Sequence, residues 1–117
     1  PIMSKYSKKE KMKKIVNDYF AAWNKHDLVR LKKLFDEKIE LKDWEIYEIG
    51  IVNVLKANSN IFKSLPTIRV DVIDIAFSLN KVMAEIKVVI NKGEIIDVID
   101  IFEIEDGLIK KIKAFKC

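Results

Sequence analysis

Cysteine, glycine, proline and long apolar runs are all scarce in this 117-residue chain, and each scarcity excludes a class of protein. The single cysteine, Cys117, allows no intramolecular disulfide and no cysteine metal cluster, which fits a reducing compartment. No apolar run approaches the roughly 20 residues of a membrane-spanning helix. Residues 1–5 lack the apolar core of a secretory signal. We therefore expect a cytoplasmic protein that has no membrane partner.

Charge of one sign is also limited, because the net charge of +4 comes from 22 basic and 18 acidic residues. Part of the basic excess lies in an early run of lysines: Lys5, Lys8, Lys9, Lys11, Lys13 and Lys14. Such a run could bind nucleic acid, but Glu10 interrupts it and no aromatic or glycine-rich reader motif accompanies it. We interpret the run as the solvated end of a helix and expect no nucleic-acid partner.

The chain, residues 1–117, has the size and composition of one globular domain, since half of its residues are hydrophobic and 34% are charged. Apolar residues at three- and four-residue steps predict helices over residues 7–25, 27–35 and 51–63, with Asp27 as N-cap of the second. Two-residue alternation and turn signals predict strands over residues 39–43, 67–77, 82–90, 94–104 and 108–116. This order predicts an α+β domain in which a curved antiparallel sheet packs against the helices.

The predicted strands carry apolar residues on both faces, as where Ile99 and Ile101 oppose Val98 and Phe102. One face can pack against the helices, but the other face also needs a cover. A second copy of the chain is the natural cover, so we predict a homodimer through the sheet.

Three polar side chains occupy positions where the local pattern calls for apolar ones. Asp100 is central in an alternating apolar row of the fourth predicted strand, Asp43 extends the row of Ile39 and Leu41, and Tyr19 is in the apolar stripe of the first helix. A buried carboxylate is costly unless it is paired, hydrogen-bonded or protonated. Two acids and a phenol in one cavity would form an acid/base site. Periodicity does not show that they meet, and ordinary core or solvated roles stay open.

Several segments resemble a ketosteroid isomerase of the nuclear transport factor 2-like superfamily, which also includes SnoaL-like cyclases and limonene epoxide hydrolases. The matching segments are Tyr19-Phe20-Ala21-Ala22-Trp23-Asn24, Asp27-Leu28, Leu34-Phe35, Leu41-Lys42-Asp43, Gly50 with the helix after it, Asp97-Val98-Ile99-Asp100-Ile101-Phe102, Asp106-Gly107-Leu108-Ile109 and Ala114-Phe115. The resemblance spans residues 12–116. It implies a cystatin-like fold in which a cone-shaped sheet encloses a pocket, often in a dimer.

The resemblance also implies roles for the three polar residues. Tyr19 matches the oxyanion-hole tyrosine, Asp43 the proton-shuttling base, and Asp100 the aspartic acid that stays protonated and donates a hydrogen bond. These roles imply a cofactor-independent isomerase that shifts a double bond in a small, apolar, enolisable ketone. No metal or organic cofactor is required, and one histidine with a terminal cysteine offers little to a metal.

The chain also departs from the family pattern. Trp44 follows the base where the family usually has proline, and Asn58 stands where some members have a tyrosine that supports the oxyanion tyrosine. Lys42 precedes the base and could lower its pKa. We expect Trp44 and Phe62 to contact the ligand.

Two other functions remain open. One is a SnoaL-like cyclase or hydrolase in which a single aspartate is the acid/base, and the other is a non-catalytic module that binds a small hydrophobic molecule. A His26–Asp27 dyad is a weaker hypothesis, because adjacent residues between two helices are better explained by helix capping.

Overall fold

The computed structural model describes residues 7–117, so the expectations for residues 1–5 lie outside it. Within these described residues, three helices and six strands follow one another. In order they are α1 (Lys8–Asn24), α2 (Leu28–Leu34), β1 (Phe35–Lys42), β2 (Tyr47–Ile49), α3 (Ile51–Ser64), β3 (Arg69–Ser78), β4 (Lys81–Asn91), β5 (Glu94–Glu105) and β6 (Leu108–Lys116). The predicted elements are all present, and β2 is an additional short strand.

Local side-chain hydrogen bonds define the helix ends. The Ser7 hydroxyl accepts the backbone N–H of Glu10 at 3.1 Å and so caps α1. Asp27 caps α2 as predicted, since its carboxylate accepts the backbone N–H of Arg30 at 3.1 Å. The second helix was predicted to include Phe35, but Phe35 has extended backbone and begins β1.

The six strands form one sheet in the order β2-β1-β6-β5-β4-β3. All neighbours are antiparallel except β1 and β6, which run parallel, so the sheet is mixed and not wholly antiparallel as expected. The reason is topological. The β5–β6 hairpin leaves one edge of β6 free, and β1 reaches that edge through a connection long enough to allow either direction.

Irregular pairing bends the sheet. The register shifts between Val72 and Asp74 on β3, between Val89 and Asn91 on β4, and between Glu103 and Ile104 on β5. Each extra residue at such a bulge increases local twist and bend. The sheet therefore curves, and the helices pack on the face that carries the core.

The two faces of the sheet differ in chemistry. Facing the helices are buried apolar residues such as Ile39, Val98 and Phe102. The outer face carries ion pairs, including Lys87 with Asp97 at 2.7 Å, beside partly covered apolar side chains. Among residues 7–117, no helix has the length and apolar character that crossing a membrane would require.

Candidate active site

A cavity of about 440 Å³ lies between the helices and the inner face of the sheet. Its wall is mostly apolar and comes from α1, α3, the segment after β1, and strands β1, β3, β4, β5 and β6. Tyr19, Asp43 and Asp100 all line it. The structure thus brings together three side chains that are far apart in sequence, in a volume typical of small-molecule sites.

Asp100 is at the centre of this wall. Its register neighbours are Ala84 on β4 and Ala114 on β6, whose methyl side chains leave space above the carboxyl group. Asp100 is only 7% exposed and its carboxyl group forms no hydrogen bond within residues 7–117. No polar side-chain atom in that range is both enclosed and unpartnered, so the carboxyl group opens onto the cavity.

Burial, and to a smaller extent the nearby charge of Asp43, raises the pKa of Asp100 from 3.8 to about 7. Removing a carboxylate from water disfavours its charged form, which explains why burial has the largest effect. Asp100 can therefore carry a proton near neutral pH and donate a hydrogen bond.

Tyr19 is held by aromatic packing. Its ring lies 5.2 Å from that of Phe102, 5.3 Å from Phe20 and 6.1 Å from Phe35, measured between centroids. Its hydroxyl makes no hydrogen bond with any residue in 7–117, although the side chain is buried. Burial, and then the charge of Asp100, raises the pKa of Tyr19 well above its usual value. The phenol therefore stays protonated and presents a donor to the cavity.

Asp43 follows the last residue of β1 and is half-buried. Its Oδ1 accepts the backbone N–H groups of Glu45 at 2.7 Å and Ile46 at 2.6 Å, which closes a tight turn. Its own N–H donates to the carbonyl oxygen of Ile46 at 2.9 Å. These backbone donors fix the direction of the carboxyl group. The second oxygen, Oδ2, makes no hydrogen bond within residues 7–117, so it is free to act on a ligand.

The two residues expected to contact a ligand lie in different places. Trp44 lines the cavity and is 42% exposed, so it forms part of the rim. Phe62 is buried but is not among the lining residues. It stacks on His26 at 4.2 Å between ring centroids and meets Trp23 at 5.0 Å.

Trp23 and Asn58, which are buried, and His26, which is half-buried, form a second polar group, here called the Trp23–Asn58–His26 cluster. The indole N–H of Trp23 donates to Asn58 Oδ1 at 3.1 Å, and Asn58 Nδ2 donates to the carbonyl oxygen of Val54 at 3.1 Å. His26 Nε2 lies 2.8 Å from the carbonyl oxygen of Ile68. Each side chain of the cluster is therefore hydrogen-bonded to another member or to the backbone. Asp27 is not part of the cluster, because its carboxylate caps α2.

Sequence reasoning missed three charged residues at the cavity: Glu45, Glu94 and Lys116. Glu94 belongs to the same alternating row as Asp100, and Lys116 continues the inward row of Ile112 and Ala114. The argument that identified Asp100 would have found Glu94 and Lys116, because each is a charged residue in an apolar row, whereas Glu45 lies in the turn after β1 and follows no such row. Within residues 7–117, no three His, Cys, Asp or Glu side chains converge as metal ligands would.

The arrangement is suited to moving a proton. One carboxylate, Asp43, has a free oxygen at the wall, and two neutral donors, Tyr19 and Asp100, face the same space. A base next to preorganised hydrogen-bond donors can deprotonate carbon and stabilise the oxyanion that forms.

The SnoaL-like domain model matches residues 16–112, which is most of the chain. At the level of sequence, no curated protein matches it.

Solved structures with the same fold include a ketosteroid isomerase candidate from Kribbella flavida, at a TM-score of 0.81 and 15% identity, covering 92% of this chain and 78% of the other. A polyketide cyclase candidate from Sinorhizobium meliloti aligns at a TM-score of 0.81 and 22% identity, covering 89% and 97%. A SnoaL-like protein of unknown function from Burkholderia thailandensis aligns at 0.82 and 15% identity, covering 100% and 99%. At these identities the likeness establishes the fold alone.

Proposed function

The chain belongs to the SnoaL-like domain family, and we propose that it is a cofactor-independent isomerase acting on a small, apolar, enolisable ketone. The observation that carries this proposal is that Tyr19 and Asp100 present unpartnered polar groups to the cavity that Asp43 also lines. Because no enclosed side-chain polar atom among residues 7–117 is unpartnered, these two groups reach the open space of the cavity, where a ligand can accept their hydrogen bonds.

In the proposed reaction, the Asp43 carboxylate removes a proton from the carbon between the carbonyl group and the double bond. The C–H electron pair forms a new carbon–carbon double bond, and the carbonyl π electrons move onto oxygen. Tyr19 and Asp100 donate hydrogen bonds to this dienolate oxygen. Asp43 then returns the proton at the far allylic carbon, the carbonyl group re-forms, and the product is the conjugated ketone.

The protonation state of Asp100 supports this assignment. In the proposed reaction Asp43 accepts the proton, while Asp100 acts in its neutral form as a hydrogen-bond donor. Because burial raises the pKa of Asp100 to about 7, its ability to donate is lost as pH rises through that value. Activity is therefore expected to fall above about pH 7 as Asp100 ionises.

The direct test is turnover of cyclohex-3-enone, followed as the absorbance of the conjugated product. Asp43→Asn should lower kcat about 10²- to 10⁴-fold, the usual contribution of a general base. The matched control is Asp97→Asn, since Asp97 is on the outer face and paired with Lys87. Full turnover in Asp43→Asn would mean that Asp43 is not the base.

The same experiment separates the other functions. A cyclase or hydrolase that uses one aspartate would leave cyclohex-3-enone unchanged while still depending on Asp43 or Asp100 with its own substrate. A binding module would hold an apolar ligand in the cavity and turn over nothing.

We also propose that the outer face of the sheet joins two copies of the chain. Met83, Ile99 and Ile101 are only partly covered there, and the neighbouring strands carry charges of both signs that a symmetric partner could complement. Light scattering at micromolar concentration should give a dimer, and Ile101→Lys should give a monomer. Val52→Lys, on α3 and away from the sheet, is the control. A monomeric wild-type chain would contradict this assembly.

A further inference from the structure

A groove of about 510 Å³ adjoins the cavity at the ends of β1 and β6. Its lining consists of Lys42, Asp43, Trp44, Lys113, Ala114, Phe115 and Lys116. Four of these residues, Asp43, Trp44, Ala114 and Lys116, also line the cavity. The two spaces therefore share part of their lining, and a ligand seated at this shared wall would contact both.

Positively charged side chains lie close together in the groove, although like charges repel each other. Lys42 and Lys113 are direct neighbours in the parallel β1–β6 register, and like charges in that position repel each other. The ammonium group of Lys42 lies 5.9 Å from the Tyr47 ring centroid, and that of Lys116 lies 5.4 Å from the Trp44 ring centroid. Aromatic faces hold such cations in place without cancelling their charge.

These three lysines, Lys42, Lys113 and Lys116, also differ from other lysines of the same sheet. Lys87 is paired with Asp97, and Lys111 lies 3.6 Å from Glu40 and 4.0 Å from Glu103. Within residues 7–117, none of the three groove lysines forms an ion pair with a carboxylate.

The acidic residues nearby offset this charge only in part. The hydrogen bond from Tyr47 lowers the pKa of Glu40 most, and the charge of Lys113 also lowers it. Glu40 nevertheless lies outside the groove, and Lys111 also contacts it at 3.6 Å. Among residues 7–117, Asp43 is the one carboxylate in the lining, and its Oδ1 is held by two backbone N–H groups. Glu45 and Glu94 line the cavity but not the groove. Among residues 7–117, the groove lining thus presents three lysines and one carboxylate, Asp43, one oxygen of which is held in a turn.

We propose that the groove binds an anionic oxygen group, a carboxylate or a phosphate ester, on a ligand whose apolar body fills the cavity. This rests on the proposed function only in treating that ligand as the substrate. The substrate is then an amphipathic anion: an apolar enolisable ketone with an anionic group at one end. The lysines position that end, and the reacting carbons face Asp43.

Two fluorescent probes test this, because 1-anilinonaphthalene-8-sulfonate carries a sulfonate that the otherwise identical N-phenyl-1-naphthylamine lacks. At low salt the anionic probe should bind about tenfold more tightly, and the preference should shrink in 1 M salt as screening increases. The triple variant Lys42→Gln/Lys113→Gln/Lys116→Gln should lose this preference and keep its affinity for the neutral probe. The control, Lys33→Gln, removes one charge from α2, outside the groove.

Competing ligands distinguish the anionic groups. Dodecanoate and dodecyl phosphate should displace the anionic probe more strongly than dodecanol, and the stronger of the two identifies the preferred group. Equal displacement by dodecanol would overturn the proposal. So would equal binding of the two probes, no binding of either, or an unchanged preference in the triple variant. If the triple variant changes the oligomeric state but not the preference, the lysines face a second copy and the proposal is wrong. These binding measurements need no turnover. They therefore test anion binding in the groove independently of the isomerase assay.

Discussion

The interior of this domain contains two buried polar groups that differ in one respect. In the Trp23–Asn58–His26 cluster, each side chain is hydrogen-bonded to a neighbour or to the backbone. In contrast, the Tyr19 hydroxyl and the Asp100 carboxyl group have no partner within residues 7–117 and open onto the cavity. A hydrogen-bonded buried polar group stabilises a fold, whereas a polar group that opens onto a cavity adds little to stability and remains available to a ligand. Substitutions in the two groups should therefore have opposite effects on stability and activity.

The sharpest test of this difference is the pH dependence of stability in Asp100→Asn. Between about pH 4 and pH 7 the native chain keeps a proton on Asp100 that the unfolded chain has released, because its pKa rises from 3.8 to about 7 on folding. The native state then binds more protons, so the unfolding free energy of the wild type falls as pH increases through this window. The full loss is about 4 kcal/mol at 1.36 kcal/mol per pKa unit. The unfolding free energy of Asp100→Asn should not show this fall, because the asparagine side chain does not titrate.

Urea unfolding of both proteins at pH 4 and pH 8 measures the effect. The variant should gain stability relative to the wild type between these pH values, by an amount on the order of 4 kcal/mol. Asp97→Asn is the control on the same strand, since Asp97 is on the outer face and paired with Lys87. The two proteins could instead differ in unfolding free energy by the same amount at pH 4 and pH 8. That result would show that Asp100 does not titrate in this range.

Tyr19→Phe tests the second unpartnered group. Removing one oxyanion donor should lower kcat about 10²- to 10³-fold on a β,γ-unsaturated ketone. Stability should change by less than about 1 kcal/mol, because the hydroxyl has no hydrogen bond to lose within the described chain. In the control Tyr47→Phe, an exposed hydroxyl that donates to Glu40 at 2.7 Å is removed, and kcat should be unchanged. A loss of stability in Tyr19→Phe without loss of kcat would assign Tyr19 to the core.

Most of the fold could be predicted from the sequence, because long elements carry strong periodicity. The limits of α1, α3 and the strands β3–β6 differ from the prediction by no more than about two residues, as expected for element ends. Phe35 was misassigned since Leu31, Leu34 and Phe35 also satisfy helical spacing. Strand β2 has only three residues and no pattern of its own. The parallel β1–β6 pairing depends on contacts between distant segments, which local pattern does not contain.

Part of the site could also be predicted from the periodicity of the strands. Alternation placed Asp100 inward, and it is buried. Alternation could not place Asp43, because β1 ends at Lys42 and a turn orients the next residue. Nor could it separate Phe62 from the cavity, since an inward residue on α3 can meet either a ligand or His26. That choice depends on how the junction between α1 and α2, which carries His26, packs against α3.

The last test is Asn58→Ala, a substitution in the hydrogen-bonded Trp23–Asn58–His26 cluster. The substitution removes the acceptor of the Trp23 indole N–H and leaves a buried donor without a partner, which should cost about 1–3 kcal/mol of unfolding free energy. Urea unfolding measures this loss, and Asn60→Ala, an exposed change two residues further along α3, should cost much less. The kcat per folded molecule should stay within about threefold of the wild type, because Asn58 does not line the cavity. If Asn58→Ala instead reduces kcat as strongly as Tyr19→Phe while stability is unchanged, the two buried groups are not separate in function, and Asn58 supports the reacting centre through Trp23.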